Sequence, residues 1–201
     1  MKLVKRGASF ADLVQLPDTC VAEIIDGDLD ASPRPASPHA YAATALGFDV
    51  YGGFGQPPGS AAPGGWWILV EPELDLGSDV VVPDWAGWRR ARMPVMPHVV
   101  GFTLAPDWLC EVESPSTKLI DRTRKMRIYA REGVPHLWMV DPLAQTLEVF
   151  RRDDDPWTPA AGFRGACTVR AEPFDAVELD LSRWWMPLAA AAAAPGKVPA
   201  L

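Results

Sequence analysis

The chain has 201 residues, 48% of them hydrophobic and 22% charged, which is the composition of a globular domain with a sizeable core and not of a disordered segment. A formal net charge of −7 argues against a protein that coats nucleic acid indiscriminately. Met1–Phe10 has basic residues but no apolar run after them, and no window reaches the ~18 apolar residues of a membrane span. Cys20, Cys110 and Cys167 are scattered, with neither a disulfide framework nor zinc-ligand spacing, so a soluble, cytoplasmic chain is expected.

In chain order, Ser9 is a candidate N-cap for a short helix from Ala11 to Leu16, stopped by Pro17. Val21–Ile25 reads as a strand, and Asp26-Gly27 as a tight turn into Leu29. A Pro-rich loop from Ser32 to Pro38 precedes a helix from His39 to about Tyr51, and residues 52–65 read as a surface loop. Strands are expected at Trp66–Val70, near Leu74, and at Val80–Val82 leading into Pro83-Asp84. The Pro/Arg-rich stretch 89–98 reads as a loop, and Trp108–Glu113 as the next strand. Ser114–Thr117 would cap a helix from Lys118 to Arg131, ended by Gly133 and Pro135. Leu137–Val140 and Thr146–Arg151 complete the strands. Residues 1–188 are expected to form one α/β domain, with 189–201 a low-complexity Ala/Pro tail to which no function is assigned.

Chemistry concentrates in the strand, loop, strand, helix, strand order of the middle. Asp84 sits beside Trp85 and Gly87, an apolar setting for a carboxylate. Glu111 and Glu113 are two apart in a strand and share a face, with Cys110 and Val112 on the other. Two acids on one face repel unless a cation intervenes; taken alone they fit a solvated face equally well. Asp121, Lys125 and Tyr129 form one helical stripe at i, i+4 and i+8 that can return toward the carboxylate strand. Lys125 by itself reads as a plain helix pair with Asp121, worth about 0.3–0.5 kcal/mol. A lysine delivered beside two acids, however, suits metal-assisted phosphodiester hydrolysis. Carboxylate oxygens hold Mg²⁺, and the lysine orients water or offsets charge developing on the phosphate. On this reading Lys125→Ala should fold normally.

The ordered set Pro83-Asp84, Glu111-Val-Glu-Ser-Pro-Ser-Thr117, Asp121, Lys125, Tyr129, Gly133-Val-Pro and Trp138-Met-Val-Asp141 resembles the Uma-two family of endonucleases, within the PD-(D/E)XK nuclease superfamily. Glu23-Ile-Ile-Asp-Gly27 with Pro33, Pro35 and His39 resembles that family's opening, and Phe174–Leu181 with Trp184 its close, so the resemblance spans residues 9–185. It implies a restriction-endonuclease-like mixed central sheet flanked by helices, with Asp84 and Glu111 on adjacent strands. It also implies Asp84 and Glu111 as ligands of Mg²⁺ or Mn²⁺, the Val112 carbonyl as a third, Glu23 as an auxiliary acid and Lys125 as the catalytic lysine. The superfamily's lysine stands two residues after the second acid, where this chain has Glu113. Glu113 either joins the metal shell or pairs with Lys125, and the pairing is the expectation, because the other ligands already suffice.

The expected partner is nucleic acid, DNA in particular, with no membrane association and a homodimer as a candidate assembly. Arg124, Arg127 and Arg131, at i, i+3 and i+7, either track a nucleic-acid backbone or form a solvated face. His39 either contacts phosphate or serves a helix start. No Walker loop, dinucleotide fingerprint or Gly-x-Ser-x-Gly elbow is present. The rival from another class is a catalytically weak or inactive nuclease fold that binds nucleic acid or regulates, supported by Glu113 and the negative charge.

Overall fold

In the computed structural model, which describes residues 2–17, 19–57, 59, 61–153 and 157–187, most of the regular structure is strand. Strands β1 (Lys2–Arg6), β2 (Cys20–Ile25) and β3 (Asp28–Pro33) come first, with a one-turn helix α1 (Phe10–Leu13) after β1. Helix α2 (Ser37–Phe54) follows, then β4 (Trp66–Val70), β5 (Glu73–Leu76), β6 (Asp79–Val81), β7 (Trp85–Arg89), β8 (Gly101–Phe102) and β9 (Trp108–Val112). A helical run over 118–131 leads to β10 (His136–Asp141), β11 (Thr146–Arg151), β12 (Thr158–Arg164) and the short pair β13 (Thr168–Val169) and β14 (Leu179–Asp180).

These strands build two six-stranded mixed sheets. The first has the order β1-β3-β2-β6-β5-β8 and the second β12-β11-β10-β9-β7-β4. Within them β5–β8 and β9–β10 run parallel, and the other pairs are antiparallel. The β2–β3 hairpin follows from its turn. Asp26 and Gly27 both take positive φ, 54° and 78°, as a two-residue turn matched to the twist of antiparallel strands requires.

The second sheet is covered on both faces, so its parallel strands are apolar along their length. Trp108, Cys110 and Val112 of β9 face Ala42, Leu46 and Val50 of α2, in a core that also holds Phe174 between Trp108 and Trp138. Leu109, one residue out of phase, faces the first sheet's Ile25, Leu74 and Val81 and the helix residues Ile128 and Tyr129. Alternation therefore puts Glu111 on the side of β9 that the 118–131 helix covers.

Two sequence expectations are corrected here. Asp84 does not end the Val80–Val82 strand. β6 belongs to the first sheet and β7 to the second, and Val82-Pro83-Asp84 is the crossing between them. β7 escaped the sequence reading because Trp-Ala-Gly-Trp carries no alternation of apolar and polar residues. It is held by a close approach: a Cβ on Gly47 of α2 would lie 1.9 Å from the Trp85 ring, and the Trp85 indole N–H donates to the Ala43 carbonyl at 3.0 Å. Gly47 thus seats Trp85 and, through it, the neighbouring Asp84. Helix α2 also starts two residues earlier than expected, with Pro38 in its first turn, and runs on to Phe54. The 189–201 tail lies outside the described residues. No helix among those described is long and apolar enough to cross a membrane.

Candidate active site

Helix 118–131 is not uniform. Lys118–Ile120 and Met126–Arg131 are α-helical, and the turn between them, Asp121–Lys125, is π-helical. Widened turns of this kind recur at functional sites, and this one carries the two buried charged groups of the helix, Asp121 and Lys125. The Lys125 ammonium lies 2.9 Å from Glu23 of β2 and 2.9 Å from Glu111 of β9, with Asp121 at 3.8 Å and the Val82 carbonyl at 3.3 Å. All four charged side chains are almost fully buried. The expected Asp121–Lys125 pair is therefore the weakest contact of a lysine whose main partners come from two different sheets.

Asp84 completes the arrangement from the crossing. Its Oδ2 accepts the Val112 backbone N–H at 2.7 Å, and its Oδ1 lies 3.1 Å from His39 Nε2. The Tyr129 hydroxyl donates to Glu111 Oε1 at 2.5 Å, the same oxygen that meets Lys125. Asp84, Glu111, Val112, Glu23, Lys125 and His39 share the wall of one open cavity of 320 Å³. The sequence had placed Tyr129 on the right stripe without giving it a role.

Burial dominates the electrostatics. Desolvation pushes the Glu111 carboxyl well above the usual range, although Lys125 opposes the shift. Desolvation raises Asp121 to about 6, again against Lys125. Burial alone would lower the Lys125 pKa, but Glu111 and Glu23 together outweigh it and hold the ammonium well above its ordinary value. Lys125 is thus a fixed positive charge near neutral pH and not a proton acceptor. His39 follows the same logic, with burial outweighed by Asp84 and its pKa raised.

The expected Glu113–Lys125 pairing is not formed. Glu113 is bound by Lys118 at 3.0 Å and by Arg122, which also binds Glu148. It lies one residue past the end of β9 and outside the cavity wall. The arginine stripe is also redirected. Arg124 pairs with Asp26 and Asp30 at 3.0 and 3.1 Å, Arg127 with Asp26 at 2.7 Å, and Arg131 with Asp79 and Glu132 at 2.9 and 2.7 Å. Their pairs with Asp26, Asp30 and Asp79 clamp the helix to the first sheet, and none of the three arginines lines the cavity. Two groups that do line it, Arg34 and Glu71, went unread in the sequence, since nothing in the spacing links them.

The profile of the Uma2 family, described as “Putative restriction endonuclease”, matches residues 10–182. No curated protein matches the chain. Among solved structures, the crystal structure of “a putative nuclease belonging to DUF820 from Anabaena variabilis ATCC 29413” is similar, with a TM-score of 0.67 at 21% identity. The match covers 89% of this chain and 97% of that one. At that identity the likeness bears on the fold.

Two outcomes follow from the buried charges. Lys125→Ala strands two buried carboxylates without their cation, so thermal or urea unfolding should show a loss of about 3–5 kcal/mol. This replaces the expectation that the variant folds normally, and an unchanged midpoint would contradict the geometry. The second outcome concerns pH. A folded-state pKa of about 6 for Asp121 lies above the unfolded value, so the folded state holds this proton more tightly. The stabilisation is complete below the unfolded pKa and is lost as pH rises through about 6. Asp121→Asn should therefore be more stable than the wild type by about 1–3 kcal/mol near pH 8, with the gain vanishing near pH 4. A gain independent of pH would assign the effect to packing.

Proposed function

The chain belongs to the Uma2 family, and from that membership we propose that it is an endonuclease that hydrolyses phosphodiester bonds in DNA with Mg²⁺ or Mn²⁺ as cofactor. The observation that carries the reading is the meeting of Asp84, Glu111 and the Lys125 ammonium at one open cavity.

The donor chemistry fits a hard divalent cation. Among the described residues no group of three His, Cys, Asp or Glu forms a closed metal cage. Mg²⁺ needs none, because it is commonly held by one or two carboxylates, with waters and substrate phosphates completing its shell. Asp84 and Glu111 would hold it from the cavity wall, beside Val112. Lys125 and Tyr129 both engage Oε1 of Glu111. The ion, when bound, polarises the phosphate and acidifies a water.

The chain's own groups prepare that chemistry. Lys125, whose ammonium Glu111 and Glu23 stabilise, offsets negative charge at the cavity wall from a fixed position. Glu23 fixes the ammonium from the far side and accepts the Val82 N–H at 2.7 Å, which pins the crossing that carries Asp84. His39 and the Val112 N–H fix the two Asp84 oxygens. The rival reading of a catalytically weak or inactive fold drew on Glu113 and on the negative net charge; Glu113 is held by Arg122 and Lys118 and not by Lys125, while the net charge of −7 still stands in its favour.

Supercoiled plasmid is the direct substrate. With Mn²⁺ the wild type should nick it, chelation should stop the reaction, and Asp84→Asn should slow it by about a hundredfold or more. Nicking that survives both chelation and Asp84→Asn would overturn the reading, as would a wild type that cleaves nothing.

A further inference from the structure

Among the described residues the cavity wall carries the carboxylates Glu23, Glu71, Asp84, Glu111 and Asp121 against Arg34, Lys125 and His39, the last paired with Asp84. Lys125 is buried and engaged by Glu23 and Glu111. A phosphodiester approaching this wall therefore meets an excess of negative charge, and the helix arginines cannot relieve it. Arg122, Arg124, Arg127 and Arg131 all face acidic partners outside the cavity.

Arg34 differs from them. It follows the last residue of β3, its side chain is 58% exposed, and it meets Glu71 at 3.1 Å. Glu71 is itself 43% exposed and follows β4 of the second sheet, so the pair joins residues carried by different sheets at one cavity. Glu71 is held in place by its backbone. Its φ of 44° is in the left-handed region, which is costly for a residue with a side chain, and its N–H donates to the Asp84 carbonyl at 3.0 Å. The acid's backbone is thus fixed next to a candidate metal ligand while its partner's side chain is exposed to solvent. An ion pair this exposed contributes little, and it is made through one contact. A guanidinium can take a phosphate through two parallel charge-assisted hydrogen bonds in fork geometry, so a phosphate can compete with Glu71 for Arg34.

We propose that Arg34 is the phosphate-binding residue of this cavity, taking a backbone phosphate of the nucleic acid in exchange for Glu71. The inference rests on the endonuclease reading and deepens it. Glu71 then acts as a built-in competitor that occupies Arg34 until a phosphate displaces it.

The experiment is fluorescence anisotropy with a fluorescein-labelled DNA duplex, in Ca²⁺ so that binding is read without turnover, over a series of salt concentrations. Arg34→Ala should weaken binding about tenfold and reduce the slope of log affinity against log salt by about one, the signature of a single lost phosphate contact. Arg34→Lys should restore the slope and part of the affinity, because it keeps the charge but not the fork. Glu71→Gln should tighten binding. A wild type that binds with Arg34→Ala equal to it in affinity and slope overturns the inference and leaves the endonuclease reading standing. Tightening absent in Glu71→Gln overturns the exchange, and a wild type that binds no DNA overturns both.

Discussion

One buried ammonium holds the site together. Lys125 reaches from the π-helical turn of the 118–131 helix to Glu23 in the first sheet and Glu111 in the second, 2.9 Å from each. Removing three charges from water is costly, and their mutual attraction in the interior repays it only when the geometry is good. The two sheets and the helix must therefore meet at this point in one arrangement. Asp121 and Lys125 both face inward from this turn, as their i, i+4 spacing requires.

The same constraint fixes the chain where it crosses from one sheet to the other. Glu23 accepts the Val82 N–H and Lys125 donates to the Val82 carbonyl, so both backbone groups at the start of the crossing are tied to the charge cluster. Two residues later Asp84 is held by Val112 N–H and His39, and beyond it Trp85 is seated in the notch over Gly47. A carboxylate on a crossing segment is thereby held as firmly as one inside a strand. Arg124, Arg127 and Arg131 do structural work on Asp26, Asp30 and Asp79 of the first sheet's β2, β3 and β6 region, so part of the basic helix's charge is neutralised within the fold.

The sequence made part of this legible, for physical reasons. Alternation along β9 put Glu111 and Cys110 on opposite faces, and the i, i+4, i+8 stripe brought Asp121, Lys125 and Tyr129 together, because both patterns are local. The Asp26-Gly27 hairpin was readable for the same reason. Partner choice was not local. The sequence offered Glu113 to Lys125, but the strand ends at Val112 and Arg122 on the next helix captures the acid. It offered Arg124, Arg127 and Arg131 to a phosphate backbone, but Asp26, Asp30 and Asp79 lie opposite them once the sheets assemble. β7, the first sheet's edge strands β1 and β8, the second sheet's edge strand β12 and the short β13–β14 pair were missed, since their stability comes from neighbours and not from their own pattern. Arg34 and Glu71 meet only because two sheets share one cavity.

The proposed cation site beside Lys125 is formed by Asp84 and Glu111 and not by Glu113. Calorimetric titration of Mn²⁺ into the wild type, Glu111→Gln and Glu113→Gln tests it most directly. The account predicts one binding site in the wild type, retained in Glu113→Gln and lost in Glu111→Gln. Binding that survives in Glu111→Gln but disappears in Glu113→Gln would contradict it.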